Sequence, residues 1–339
     1  MRPIGPIERS RPMQSDNSAS WCVLVLDDQP DDYLKNLKQR FPTVAFDVCR
    51  HPAQIESAVD RVRPHIVFGV VSRGMPGSVQ RAILKSPRLK WIQSGNVGVD
   101  HLRPWPDQPV VVTNTAGVLS PFMAETVMGA MLMLNCGFHR YLAQQRDKKW
   151  RVLPWHPLRG KTVLIVGLGN IGRRVAAHAG FLGMHVLGLR RGGGGPLPGV
   201  ETVISPADFQ ATLPGVDILC IHVPLTDVTR HMIDQRVFAS LPKHAIVINT
   251  SRGGVVDEAA LKTALQDGSI AAAYMDVFAE EPLSRNNPIW DAENLLITPH
   301  CSDTAHGWRR LLADFFAANL DRWLRGAPLK NVLDMQRGY

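Results

Sequence analysis

The chain is predicted to be an α/β protein of two Rossmann-like domains, each a doubly wound parallel sheet, with the active-site cleft between them. Three observations carry this. At 339 residues, 45% apolar and 20% charged, the chain is long enough for two ordinary globular cores rather than one. Short apolar runs alternate with amphipathic stretches along most of its length, the rhythm of strand and crossover helix. One of these runs leads directly into a glycine motif set between a strand and a helix.

Residues 1–20 carry Arg2, Arg9 and Arg11 without an apolar stretch, and are read as a flexible tail. From Trp21 the buried-strand candidates are 22–26, 45–48, 66–71, 90–92 and 110–113. Residues 121–149 hold few helix breakers and suit one extended helix or two abutting ones, a bridge between domains. A second series follows, with strands expected at 163–166, 185–189, 218–222, 246–249, 271–275 and 295–298, six in all. The end, 308–325, places Leu311, Leu312, Phe315, Phe316, Leu320 and Trp323 at helical spacing.

Composition excludes some functions. The net charge of +8 suits an anionic ligand, but the basic residues are dispersed, with no zinc-finger spacing and no basic stripe with interleaved aromatics, so no nucleic-acid partner is expected. Five scattered cysteines without a CxxC indicate neither a disulfide framework nor a metal site, and fit a reducing cytoplasm. The longest apolar run is far short of a bilayer span, so no membrane partner is expected either.

The strand 163–166 runs into Gly167-Leu168-Gly169-Asn170-Ile171-Gly172, and a helix is expected from Arg173. In a dinucleotide fingerprint the first glycine permits the tight turn, the second lets backbone approach a pyrophosphate, and the third lets helix and strand pack closely. About 20 residues on, where an acidic residue would hold the ribose hydroxyls of NAD, stand Arg190 and Arg191. Two guanidiniums can bind a 2′-phosphate, so NADP(H) is the expected cofactor, with NAD(H) possible.

Three further segments leave predicted strands at their carboxyl ends, where open α/β sheets put ligands: 249–257 with Arg252, 276–283 with Glu281, and 298–300 with His300. With the glycine motif, with 91–94 and 97–100, and with 114–117 and Glu125, they resemble the D-isomer-specific 2-hydroxyacid dehydrogenase family, which includes glyoxylate/hydroxypyruvate reductases. The likeness covers the chain from about residue 60 onward.

The resemblance implies that Arg252 grips the carboxylate and carbonyl oxygen of a small 2-oxo acid, that His300 is the general acid/base, and that Glu281, next to proline, hydrogen-bonds His300. It implies substrate contacts from the Val97 and Gly98 N–H groups, and the loop at 72–76 is expected to add Arg73 and Met75. His222, Pro224, Thr229, Thr250 and Asp276 resemble cofactor-lining positions. The implied domains are 21–119 plus 302–339 for substrate and catalysis, with 120–301 inserted as the NAD(P)-binding domain, and a homodimer is expected. The residue chemistry agrees: hydride addition to a ketone leaves charge on oxygen, which needs a cation to orient it and a proton donor to neutralise it. One departure stands out, Cys301-Ser302-Asp303 after the histidine where the family has small residues. The alternative reading is a dinucleotide-sensing, corepressor-like binding module, since related corepressors keep the same triad.

Overall fold

In the computed structural model, which describes residues 21–105, 109–192, 195 and 197–334, the chain divides into two compact units. One comprises the described residues up to Val118 and those from Gly307 onward; the other spans Leu119–His306. The expected tail at 1–20 lies outside the described residues. The return to the first unit comes after His306, later than the sequence suggested. Asp276 and Thr126 hold the backbone of Cys301 and Ser302 within the second unit.

The first unit is built on five parallel strands, Cys22–Leu26 (β1), Ala45–Cys49 (β2), Ile66–Gly69 (β3), Trp91–Ser94 (β4) and Val111–Thr113 (β5). Their spatial order is β2-β1-β3-β4-β5, a flavodoxin-like order that reverses between β1 and β3. The strand expected at 66–71 stops at Gly69, and the one expected at 90–92 starts and ends later, because Ser94 continues the pairing opposite Gly69. The helix Trp308–Leu324 starts at Gly307, whose φ of 79° only glycine adopts freely. It buries Leu312, Phe316 and Leu320, and Phe316 stacks flat on Phe68 with ring centroids 4.6 Å apart. Each such side chain stabilises the unit by roughly 1.5–3 kcal/mol relative to exposure.

The second unit carries seven parallel strands, Thr162–Val166 (β6), His185–Leu189 (β7), Thr202–Ile204 (β8), Ile218–Ile221 (β9), Ile246–Asn249 (β10), Ala272–Met275 (β11) and Leu295–Ile297 (β12). The order is β12-β11-β10-β9-β6-β7-β8, reversing between β6 and β9. Along β6 and β9, Leu164, Val166, Leu219 and Ile221 join the core on one face, while Val163, Ile165, Ile218 and Cys220 join the core on the other. Burial on both faces is why these strands read as unbroken apolar runs. The strand β8 was not expected: its three residues lie at the sheet edge, only Ile204 is buried, and so they carry no such run.

The stretch expected as one extended helix or two abutting ones is two, Ser120–Asn135 and Phe138–Arg146, both in the second unit and separated at Gly137 by a left-handed φ of 69°. The first packs along the helix Asn170–Phe181, and Arg174 Nε donates to Ser120 Oγ at 2.9 Å. No helix among the described residues is long and apolar enough to cross a membrane.

Candidate active site

All the strands of the second unit run the same way, so the loops leaving β6, β9, β10, β11 and β12 emerge at one edge of its sheet. The glycine motif follows β6, and its three glycines do three different things. Gly167 has φ 104°, and a Cβ there would lie 2.8 Å from the His222 carbonyl oxygen. A Cβ on Gly172 would lie 2.1 Å from the Gly167 carbonyl oxygen, so this position closes helix onto strand. A Cβ on Gly169 would meet nothing within 4 Å, so this glycine faces open space rather than packed chain. The following helix begins at Asn170 and Ile171 with no acidic residue in its first turn, leaving its N-terminal dipole uncompensated for an anion.

Arg190 and Arg191 follow the next strand, β7, the first half-buried and the second exposed. On the other side of β6, His222 follows β9 and Thr250 follows β10. Their side chains meet, with His222 Nδ1 3.3 Å from Thr250 Oγ1. The His222 Nε2 is buried with no hydrogen-bond partner among the described residues, and burial pushes the imidazole pKa down to about 4. A buried polar nitrogen without a partner is costly, which fits a ligand amide completing the bond. Pro224 is exposed, and Thr229 Oγ1 donates to its carbonyl at 2.6 Å, so Thr229 closes the 224–229 turn.

Arg252 follows β10 on a loop held by Asn249, whose Nδ2 donates to the Arg252 carbonyl at 3.1 Å and whose Oδ1 accepts from Ser251. The adjoining Gly253 is pressed against another loop: a Cβ there would lie 1.9 Å from the carbonyl carbon of Phe278. That second loop carries Glu281, whose Oε1 accepts the Phe278 N–H at 2.9 Å. Its other oxygen, Oε2, lies 2.6 Å from His300 Nδ1.

The electrostatics of this pair follow from its contacts. The hydrogen bond to Glu281 raises the His300 pKa above the ordinary imidazole value, against opposing burial and the nearby Arg252 charge. Burial pushes the Glu281 carboxyl up. The hydrogen bonds from His300 and the Phe278 N–H, with the charges of His300 and Arg252, outweigh it and hold the carboxyl below its ordinary value. An ionised carboxylate can only accept, so Nδ1 carries the hydrogen and Nε2 is the nitrogen left for chemistry.

His300 itself has φ 50°, a left-handed backbone that costs a non-glycine residue about 1–2 kcal/mol. Asp276 sustains it. The Asp276 carbonyl accepts the His300 N–H at 2.8 Å, and its carboxylate accepts Thr298 Oγ1 at 2.5 Å, the Cys301 N–H at 2.9 Å and the Ser302 N–H at 3.1 Å. Asp276 is fully buried, so it clamps the histidine loop from beneath, a role the sequence reading missed when it placed this residue on the cofactor-lining surface. No run of residue types announces a clamp whose two sides follow different strands, Asp276 after β11 and its partners after β12. Asp303 lies partly buried near the pair, where burial raises its carboxyl pKa.

The expected substrate residues belong to the first unit. Val97 is exposed, and the N–H groups of Val97 and Gly98 meet no acceptor among the described residues; Asn114 Nδ2 fixes the Val97 carbonyl at 3.0 Å. Arg73 is exposed at the tip of a tight turn. The expectation for Met75 was wrong: its side chain is fully buried in the core with Leu24, Leu26 and Ile83, because the turn that exposes Arg73 directs Met75 inward.

Residues 128–302 match the family described as "D-isomer specific 2-hydroxyacid dehydrogenase, NAD binding domain". The chain belongs to that family. It is 34% identical over 266 residues to a glyoxylate reductase of Korarchaeum cryptofilum, covering 74% of this chain and 78% of that one. It is 32% identical over 330 residues to glyoxylate/hydroxypyruvate reductase B of Klebsiella pneumoniae, covering 93% and 98%. Among solved structures it resembles an NADPH-dependent glyoxylate/hydroxypyruvate reductase of Sinorhizobium meliloti in complex with NADP and sulfate. That match has TM-score 0.79 and 29% identity, covering 94% of this chain and all of that one. As a 2-hydroxyacid dehydrogenase the protein is an NAD(P)-dependent oxidoreductase, and the cradle of Gly167, Gly169 and Gly172 fits the dinucleotide.

Proposed function

We propose that this dehydrogenase reduces a small 2-oxo acid of the glyoxylate or hydroxypyruvate kind to the D-2-hydroxy acid, with NADP(H) preferred and NAD(H) accepted. The observation that carries the reading is the His300–Glu281 contact at 2.6 Å, with Arg252 close enough for its charge to act on both groups. The names of the relatives from Korarchaeum and Klebsiella support the substrate class, and the NADP bound to the Sinorhizobium structure supports the cofactor.

In this reading the glycine loop and the helix N-terminus at Asn170 hold the pyrophosphate, Arg190 and Arg191 hold the 2′-phosphate, and His222 with Thr250 lies toward the nicotinamide end. When bound, the nicotinamide dinucleotide supplies the hydride. Arg252 orients the substrate carboxylate and the C2 oxygen, and its charge stabilises the alkoxide that develops there. His300 delivers its Nε2 proton to that oxygen, and the hydrogen bond to Glu281 favours the charged imidazole that carries it. In the first unit, the N–H groups of Val97 and Gly98 and the guanidinium of Arg73 have the chemistry for the carboxylate of such a substrate. A cytoplasmic homodimer belongs to the same proposal.

The test is a panel of 2-oxo acids assayed with NADPH and with NADH. Expected are turnover of glyoxylate or hydroxypyruvate, a higher kcat/KM with NADPH, and a loss of about 10²–10⁴-fold in kcat in His300→Ala with NADPH binding retained. Near-normal turnover in His300→Ala would overturn the assignment.

A further inference from the structure

The strand order of the first unit reverses between β1 and β3, and an open α/β sheet has its ligand crevice at the carboxyl ends of such a pair. Here side chains of the chain itself occupy that place. Asp27 and Asp28 leave β1, and the segment Ser72–Met75 follows β3. Arg309, in the first turn of the returning helix, donates from Nε to Asp27 Oδ1 at 3.2 Å and from Nη2 to Asp28 Oδ1 at 3.1 Å. Asp28 Oδ1 also accepts from Ser72 Oγ at 2.6 Å. Asp27 is fully buried, and its carboxylate accepts the Tyr33 hydroxyl at 2.6 Å and the Gln29 N–H at 3.0 Å.

The segment these groups reach is already a tight turn. The Ser72 N–H donates to the Met75 carbonyl at 3.1 Å, and the Met75 N–H donates back to the Ser72 carbonyl at 3.2 Å. A Cβ on Gly74 would lie 2.2 Å from Asp28 Oδ2, so the turn rests directly against the carboxylate that Arg309 holds. On its far side Gln80 Nε2 donates to the Val70 carbonyl at 2.9 Å. The one side chain this arrangement leaves outward at the tip is that of Arg73.

We propose that Arg309 is a positioning residue for substrate recognition: by bridging Asp27 and Asp28 it fixes the Ser72–Met75 turn, and with it Arg73, in the direction that receives the 2-oxo acid. The inference rests on the proposed function, in which Arg73 meets the substrate carboxylate. Chemistry favours positioning over simple stability. A buried ion pair adds little over apolar packing of the same volume, whereas a guanidinium fork across two carboxylates fixes direction. Lysine, a point charge on a flexible stem, cannot span both acceptors in the same way.

The experiment compares Arg309→Met and Arg309→Lys with the wild-type enzyme, by steady-state kinetics with glyoxylate and NADPH and by amide hydrogen exchange at 71–75. Expected for Arg309→Met are a rise of about tenfold in the KM for glyoxylate, kcat within about threefold, NADPH affinity unchanged, and faster exchange across the turn. Arg309→Lys falls between. In an Arg73→Ala background, Arg309→Met adds little further loss, because the group it aims is gone. Unchanged exchange at 71–75 overturns the strut whatever the activity. Faster exchange with an unchanged KM, or with kcat and NADPH affinity falling together, overturns its link to substrate. A wild-type enzyme inactive on every 2-oxo acid refutes the functional reading and that link with it, while the exchange result still decides the strut.

Discussion

Both sheets of this protein reverse their strand order once, and the two reversals are used in opposite ways. Between β6 and β9 the chain places Gly167, Gly169 and Gly172, and beyond Gly169 the space is open. Between β1 and β3 it places Asp27, Asp28 and Ser72 and fills the place with Arg309. Topology locates a crevice; the residues at the strand ends decide whether it receives a ligand or anchors a loop. The contrast can be broken at glycines that differ in what stands over them.

The largest effect is expected from Gly172→Ala. The new methyl would need the space of the Gly167 carbonyl, a backbone group that cannot step aside, so NADPH affinity should fall by at least about 100-fold, with a lower Tm. The matching change in the first unit, Gly74→Ala, meets the Asp28 carboxylate instead. It should raise the KM for the 2-oxo acid by about tenfold and leave NADPH binding intact. Calorimetric titration with NADPH separates the two, and equal losses of cofactor affinity would erase the contrast.

Replacing Arg190 and Arg191 together by Ser sharpens the cofactor side. The preference for NADPH over NADH, read as a ratio of kcat/KM values, should fall by about tenfold to 100-fold, mostly through the KM for NADPH. A ratio that does not move would place the 2′-phosphate elsewhere.

The smallest change in rate, and the most direct view of the acid, comes from Glu281→Gln. His300 has its pKa raised chiefly by the Glu281 hydrogen bond, so with His300 as the proposed acid, reduction should be fast at low pH and decline as pH rises through that raised value. Glutamine removes the largest raising cause. The decline should move to lower pH, with kcat at neutral pH down about tenfold. The same signs apply to stability. The raised His300 contributes below the unfolded imidazole pKa and is lost as pH rises through the folded value. The lowered Glu281 contributes above the unfolded carboxylate pKa and is lost as pH falls. Wild type should therefore exceed Glu281→Gln in Tm most clearly between those two unfolded values, and a pH-independent difference would count against the pair as the cause.

Much of this was legible in the residues. The strands buried on both faces announce themselves as apolar runs, and β6 into Gly167 carries its own turn chemistry. Arg252, Glu281 and His300 each stand at a strand's end in a motif of fixed spacing. What was not legible shares a physical cause: it depends on partners whose distance in sequence carries no signal. The strand β8 exists because β7 offers it an edge, and its own three residues are mostly uncovered. Met75 looked like Arg73's equal until the turn sent one inward and the other out. Asp276 stood in a recognisable motif, yet its work is to hold a left-handed histidine 24 positions on through Thr298, Cys301 and Ser302.

The sequence by itself determined the two parallel sheets and the glycine cradle, because periodicity and local turn chemistry are written in neighbouring residues; the roles proposed for His300, Glu281 and Arg252 came from the likeness to the family. Only the tertiary structure decided that Arg309 meets Asp27 and Asp28 across 282 and 281 positions, and that Gly253 must yield its side-chain space to Phe278. Ion pairs and close backbone approaches are set by where folded elements come to lie, and a linear pattern does not record that.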